Sequence, residues 1–354
     1  MADANDLNPG LLPPSPDLVP IPSTEYPNYF FPYQRRYFPL YRHPPNERND
    51  PQVQLPSVLP IDRYDMVRRT VLHNLVNLCL GHRNWFGPFE QHVSPPEGKL
   101  VVDVGSDNGK WYFPCALIAI CISFSSRIED VSDEFPHAIH FRGIEIFPSS
   151  PTEAANNNVR FEVYDFQRER IRHGDASVDV IHARFQNFHI QDWDTFLRDV
   201  ARCLKPGGLF MSGELDIPLE YPNGQAPNAT ATTQLYQQVQ QIMFDRDYTP
   251  DIGAQMVERL NTIRDSAGNP LFTNIGSEVY TFPMSANNPI VAEREISALS
   301  MEYLDRLAKS LRPFMLSTGQ TSAEVDGLLQ HHRREIREVS ALMRYRVAWA
   351  ERCT

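Results

Sequence analysis

Acidic residues close several apolar runs of this chain, and a glycine-bearing turn follows the first of them. Asp103 sits in Leu100-Val-Val-Asp-Val104, and Gly105-Ser106-Asp107-Asn108-Gly109 comes next. Lacking Cβ, glycines there let the main chain curl under a ligand and leave the N–H groups of a following helix aimed at it. Glu145 ends Phe141-Arg-Gly-Ile-Glu145 and Asp165 ends Val159-Arg-Phe-Glu-Val-Tyr-Asp165. His182-Ala183-Arg184, with Gln186 close behind, follows Val178-Asp-Val-Ile181. Carboxylates offer only hydrogen-bond acceptors, and a histidine or a glutamate can take up a proton. His182, His189 and Glu214 are therefore candidates for a base, with Arg184 a further catalytic candidate, and residue type singles out none of them. The structural alternatives are a plain tight turn, an exposed strand-end acid at Glu145, a helix cap at Asp165 and histidines that only pack.

These residues need a scaffold. Four to five apolar residues ending in an acid read as strands buried on both faces, the kind found in parallel sheets. In order, the chain offers such runs before Asp103, Glu145 and Asp165, then Val178 to Ala183, then Leu204-Lys-Pro-Gly-Gly-Leu-Phe-Met211. This series resembles the S-adenosylmethionine-dependent methyltransferases of the Rossmann-like class, and in particular the fungal LaeA-like regulators of secondary metabolism. The resemblance runs from about residue 55 to 350 and is most specific over Asp103–Trp111, Asn158–Asp165 and Ile181–Gly208.

The resemblance implies an α/β fold: a seven-stranded Rossmann-like methyltransferase sheet, its last strand antiparallel, with a helical cap inserted after the fifth strand. It implies S-adenosyl-L-methionine as cofactor, bound beyond the carboxyl ends of the strands. Asp103 and Gly105 would border the methionine moiety, Ser106 would also bind the cofactor, and Gly109 would allow the first helix to approach. Glu145 would accept hydrogen bonds from both ribose hydroxyls. Asp165 would lie at the adenine edge beside Phe166, and Ala183, Arg184 and Gln186 would face the reacting centre. One departure stands out: the family's first turn reads Gly-x-Gly-x-Gly, and Asp107 holds the middle position here. A carboxylate there crowds the carboxylate of the cofactor, so the rival reading is a catalytically weak or inactive methyltransferase-like regulator or scaffold. Lys205-Pro-Gly-Gly208 and the lack of a dehydrogenase-type catalytic pair argue against an NAD-dependent oxidoreductase.

Composition narrows the field. At 354 residues the chain can bury a sizeable core, and its formal net charge of −11 disfavours a nucleic-acid surface, which needs a basic stripe. Its five cysteines form no Cys-x-x-Cys pair, so neither a zinc site nor a disulfide framework is indicated. No metal is expected. No basic-then-apolar leader opens the chain, which points to cytoplasm or nucleus rather than secretion.

Fourteen of the 30 prolines lie in the first 60 residues, interleaved with Tyr29, Phe30, Phe31, Tyr33, Tyr37, Phe38 and Tyr41. Residues 1–25 read as a disordered tail. Residues 26–98 hold an aromatic segment, which either packs on the body or docks a protein partner, and a helix over Ile61–Leu80 that covers the pocket. Its start is capped by Asp62 and Asp65, and Tyr64, Val67, Val71, Leu75 and Leu78 form its apolar stripe. The cofactor-binding core is expected over 99–216, with cap and closing strands over 217–354. Further helices are expected at Trp193–Leu204, Thr233–Phe244, Ile252–Ile263, Glu293–Met315 and Ser322–Met343. Strands are expected at Glu278–Phe282 and Arg344–Ala350, the last two strands forming a hairpin. The acceptor is not named by these patterns.

Tyr112 to Arg127 breaks the pattern, with no charge until its last residue. It falls short of the roughly 20 apolar residues that span a bilayer, so no membrane segment is expected. Joining Trp111 to Ile128 restores an amphipathic helix with Trp111, Ile128, Val131 and Phe135 on one side. We therefore expect Tyr112–Arg127 to lie outside the working fold, as a translated intron would. Peptide mapping of the native protein by mass spectrometry checks this: a peptide running from Trp111 into Ile128 is expected, and one containing Ala116–Ser125 would refute it.

Overall fold

The apolar runs become strands of one twisted sheet, and their alternating side chains feed two separate cores. The computed structural model describes residues 21–39, 57–106, 127–135, 139–148, 158–217, 219–221, 230–285 and 288–354. Asp107, Gly109, residues 112–126 and the first 20 residues lie outside the described residues.

A short hairpin of β1 (Phe30–Tyr33) and β2 (Arg36–Pro39) precedes helix α1 (Arg63–Cys79), and a single turn, α2 (Phe89–His92), leads into β3 (Leu100–Val104). Then come α3 (Arg127–Glu134), β4 (His140–Glu145), β5 (Val159–Val163), α4 (Phe166–Glu169), β6 (Val178–Arg184), α5 (Trp193–Cys203) and β7 (Leu204–Leu215). The rest comprises α6 (Ala231–Phe244), α7 (Ile252–Thr262), β8 (Phe272–Met284), α8 (Arg294–Leu316), α9 (Ser322–Glu338) and β9 (Ala341–Arg352).

Seven strands pair in the order β5-β4-β3-β6-β7-β9-β8. The first five are parallel, and β9 runs antiparallel to both β7 and β8. This is the Rossmann-like methyltransferase sheet that the resemblance implies. Every residue of β3, β4 and β6 is buried. Val101, Phe141, Val180 and Met211 enter one core, shared with α1 and the cap helices. Val102, Ile144, Ile181 and Phe210 enter the other, closed by Trp193, Phe196, Leu197 and Val200 of α5 and by Ile252, Met256 and Leu260 of α7. The Lys-Pro-Gly-Gly segment opens β7, at the opposite end of the strands from the strand-end acids. There Lys205 Nζ meets Asp179 at 2.7 Å, and a Cβ on Gly208 would stand 2.9 Å from the Lys205 carbonyl.

Three expectations are corrected. The last two strands pair as neighbours but form no hairpin, because α8 and α9 lie between them; the cap thus comes in two pieces, α6 after β7 and α8–α9 after β8, while α7 packs on the other face of the sheet beside α5. Helix α9 stops at Glu338 rather than Met343, since Ala341, Leu342 and Met343 pair with β8 instead. Both strands are longer than the alternation suggests, because pairing to each other satisfies their backbones past the end of the pattern.

Helix α1 begins where expected, with Asp62 as its cap accepting from the N–H groups of Tyr64 and Asp65. Its buried stripe is Val71, Leu72, Leu75 and Val76, and Tyr64 is 73% exposed. Asp65 does not cap. It is fully buried, accepting from Arg68 Nε at 2.7 Å and from Arg69 Nε at 2.7 Å. Burial alone would push this carboxyl up; the charges and hydrogen bonds of Arg68 and Arg69 outweigh it and hold it well below the usual carboxylate range. Tyr345 of β9 is likewise fully buried, amid Phe282, Phe185 and Phe86, and a Cβ on Gly213 would lie 2.1 Å from its hydroxyl oxygen.

Two outcomes follow from this packing. Gly213→Ala should cost about 1–3 kcal/mol in urea unfolding, and adding Tyr345→Phe should cost less than the sum of the separate changes. Asp65→Asn should cost about 3–5 kcal/mol at neutral pH by removing the buried charge that Arg68 and Arg69 share. Because the folded-state pKa of Asp65 is depressed, its contribution is present above the unfolded carboxylate range and fades as pH falls toward the folded value. The gap between wild type and Asp65→Asn should therefore shrink in acid.

Candidate functional site

Between β3 and β6 the strand order reverses, and at the carboxyl ends of these strands opens a cavity of about 480 Å³. Gly105 forms its floor with φ at +65°, and its N–H donates to the Ile144 carbonyl at 2.9 Å. A Cβ here would stand 2.1 Å from Gln186 Nε2, so glycine lets the first turn meet the loop after β6. Ser106 beside it is fully buried, and its Oγ has no hydrogen-bond partner among the described residues. Glu145, at the rim of β4 and 4% exposed, lines the cavity with Phe166 and Gln167.

The other expected residues take different places. Asp103 stands two residues short of the rim, where Trp85, Phe89 and Val131 cover the sheet, and it contacts His182 Nδ1 at 2.9 Å. His182 also packs on the ring of Phe86, 5.5 Å between centroids. Asp165 caps α4 through the Gln167 N–H and leaves the cavity wall to Phe166 and Gln167. Ala183 belongs to the apolar core under α5. Glu214, 1% exposed, accepts from the N–H groups of Gln186 at 2.8 Å and Asn187 at 3.3 Å. It positions the loop and is not among the cavity-lining residues.

Arg184 and His189 do line the cavity. Arg184 Nη2 donates to His73 Nδ1 at 3.0 Å, which leaves the His73 proton on Nε2, 2.8 Å from Asp130. Burial, reinforced by the charges of Arg69 and Arg68 against Asp65, pushes the His189 imidazole down to about 3. It is thus neutral at physiological pH and a weak base.

The Arg184–His73–Asp130 chain was not anticipated from the sequence. A signal existed: Met66, Arg69, Thr70, His73, Asn74 and Asn77 recur at helical spacing beside the apolar stripe of α1, and all six line the cavity. From the cap, Tyr236 of α6 and Tyr303 of α8 reach the same space next to Arg68. Burial pushes both phenols up, so both stay protonated. Among the described residues no group of three or more metal-ligating side chains occurs, and no helix is long and apolar enough to cross a membrane.

Residues 83–246 match a family model described as a methyltransferase domain. The secondary metabolism regulator laeA of Coprinopsis cinerea is 23% identical over 242 residues, covering 68% of this chain and 55% of that protein. The chain therefore spans about half the length of that curated relative. Among solved structures, phosphoethanolamine N-methyltransferase 2 of Haemonchus contortus with S-adenosyl-L-methionine is 15% identical, covering 83% of this chain and 60% of that one, at a TM-score of 0.39. Geranyl diphosphate C-methyltransferase of Streptomyces coelicolor A3(2) is 13% identical, covering 74% and 77%, at a TM-score of 0.35. Through the methyltransferase domain at 83–246 and the seven-stranded sheet that carries it, the chain is similar to the S-adenosylmethionine-dependent methyltransferases, the LaeA-like regulators among them.

Proposed function

We propose that the protein is an S-adenosylmethionine-dependent methyltransferase whose cofactor and acceptor share the cavity at the strand ends. The observation that carries this reading is Glu145, a buried acceptor-only carboxylate at the end of β4, beside the switch point and next to the left-handed turn at Gly105. The residues suit the cofactor: Glu145 for its vicinal hydroxyls, Phe166 for an apolar wall beside its base, and the Ser106 Oγ, without a partner among the described residues, near its polar end. When bound, S-adenosylmethionine supplies a methyl group already activated on a sulfonium.

The protein's part is placement and exclusion of water. Glu214 fixes the loop at Gln186, Gly105 lets that loop close on the first turn, and α1 with the cap roofs the space. A cavity of about 480 Å³ roofed by α1 and the cap favours a small-molecule acceptor, and the similarity to a laeA regulator supports a link to secondary metabolism.

Calorimetry with S-adenosylmethionine tests the reading. Wild type should bind, and Glu145→Ala should bind more weakly by about 1.5–3 kcal/mol, the usual loss for hydrogen bonds to a charged group. No binding by the folded wild type would favour a scaffold role, and unchanged affinity in a folded Glu145→Ala would remove Glu145 from the ribose position.

A further inference from the structure

Beside the two main cores lies a third, small one, and it stands at the rim of the cavity. Its buried members are Tyr29, Ile61 and Phe147, with Ile21, Phe30, Ile146 and Val163 packed against them. Phe30 meets Phe147 edge to face, 6.2 Å between ring centroids. Ile146 and Phe147 also line the cavity, and they are the two residues that follow Glu145. This short stretch of wall is therefore shared between the cavity and the aromatic N-terminal segment.

The start of α1 holds the other end of that segment. Arg36 Nη2 donates to Asp62 at 2.9 Å, and the Ile61 N–H donates to the Tyr37 carbonyl at 2.8 Å. Ile61 belongs to the small core, and Asp62 caps the helix whose Arg69 lines the cavity and lies 5.9 Å from the Phe147 ring. Residues 21–39 thus join the end of β4 to the first turn of α1, two parts of the cavity wall that the sheet does not hold together. Tyr29, Phe30 and Phe147 belong to neither main core, so what these rings fix is the rim.

Resting on the methyltransferase reading above, we propose that Tyr29 and Phe30 are positioning residues for the cofactor, which back Ile146 and Phe147 and so hold the Glu145 carboxylate at the ribose hydroxyls. Binding of a vicinal diol by one carboxylate depends on its placement, and a small outward shift of the residues after Glu145 spoils it. The coupling is reciprocal. Whatever affinity the segment lends the cofactor, the bound cofactor must return as firmer docking of the segment.

Calorimetry with S-adenosylhomocysteine on the full chain tests this through a double-mutant cycle. Phe30→Ala should weaken binding about five- to tenfold, and Phe30→Tyr, which keeps the ring, should bind as wild type does. In a Glu145→Ala background Phe30→Ala should add little, because the carboxylate that it positions is gone. An equal loss in both backgrounds would make Phe30 a general support of the fold, and unchanged affinity in Phe30→Ala would remove it from the site; either overturns the proposal. Should Phe30→Ala not fold, the wild type decides: saturating S-adenosylhomocysteine should slow hydrogen exchange of the Phe30–Tyr37 amides about fivefold or more, and unchanged exchange there would overturn the proposal. If S-adenosylhomocysteine does not bind the wild type, the methyltransferase reading falls and takes this one with it. If it binds but Glu145→Ala leaves its affinity intact, the ribose assignment and the positioning role both fall; if only Phe30→Ala is silent, the positioning role alone is lost.

Discussion

A carboxylate with no solvent exposure, clasped by two guanidiniums from its own helix, is the constraint on which the site depends. Asp65 holds Arg68 and Arg69 in fixed directions, and each then reaches a different neighbour. Arg68 meets Tyr303 of the cap, and Arg69 lies 5.9 Å from the Phe147 ring just beyond β4. At the start of the helix, Asp62 also receives Arg36 of the β-hairpin. Three parts of the molecule are thus anchored to the first two turns of α1. Ionic groups in such a place are expensive to bury and more expensive to break, so the arrangement is worth more as a specifier of geometry than as a source of stability.

That geometry turns the polar stripe of α1 toward the strand ends. The walls of the cavity consequently differ: carboxylate and glycine turn on the sheet side, donors and aromatic rings under the cap. A period of two along the strands sets which acids take part. Asp103 pairs in register with Gly143, two residues before Glu145, so both acids lie on one face but only Glu145 reaches the rim. The inner one is covered and pairs with His182.

How much of this could be read beforehand depends on how local each feature is. Strands β3 to β7, the stripe of α5 and the Asp62 cap rest on runs of neighbouring residues, and these were legible. Glu145 was legible too, as an acid at a strand end. Asp65, Glu214 and Asp165 were not distinguishable from other acids, because their partners are set by helix direction and by a neighbouring strand. The end of α9 was misplaced because Ala341-Leu-Met343 suits both a helix and a strand, and pairing with β8 decides between them. The cap's division followed from no local pattern, since nothing in α8 or α9 announces that a strand pair closes around them.

The place of β9 bears on how the molecule comes into being. It fills the gap between β7 and β8, yet it follows both in the chain, separated from β8 by two long helices. Until it arrives, β7 presents an open edge, Gly87 and Gly276 lack the Trp349 ring that packs on them, and the aromatic cluster at Tyr345 has no centre. Closure by such distant segments is slow, because the entropy of the loop is lost before any contact rewards it. From the completion of β7 until β9 is made, a nascent chain of this kind exposes an unpaired strand edge, the type of surface that chaperones shield.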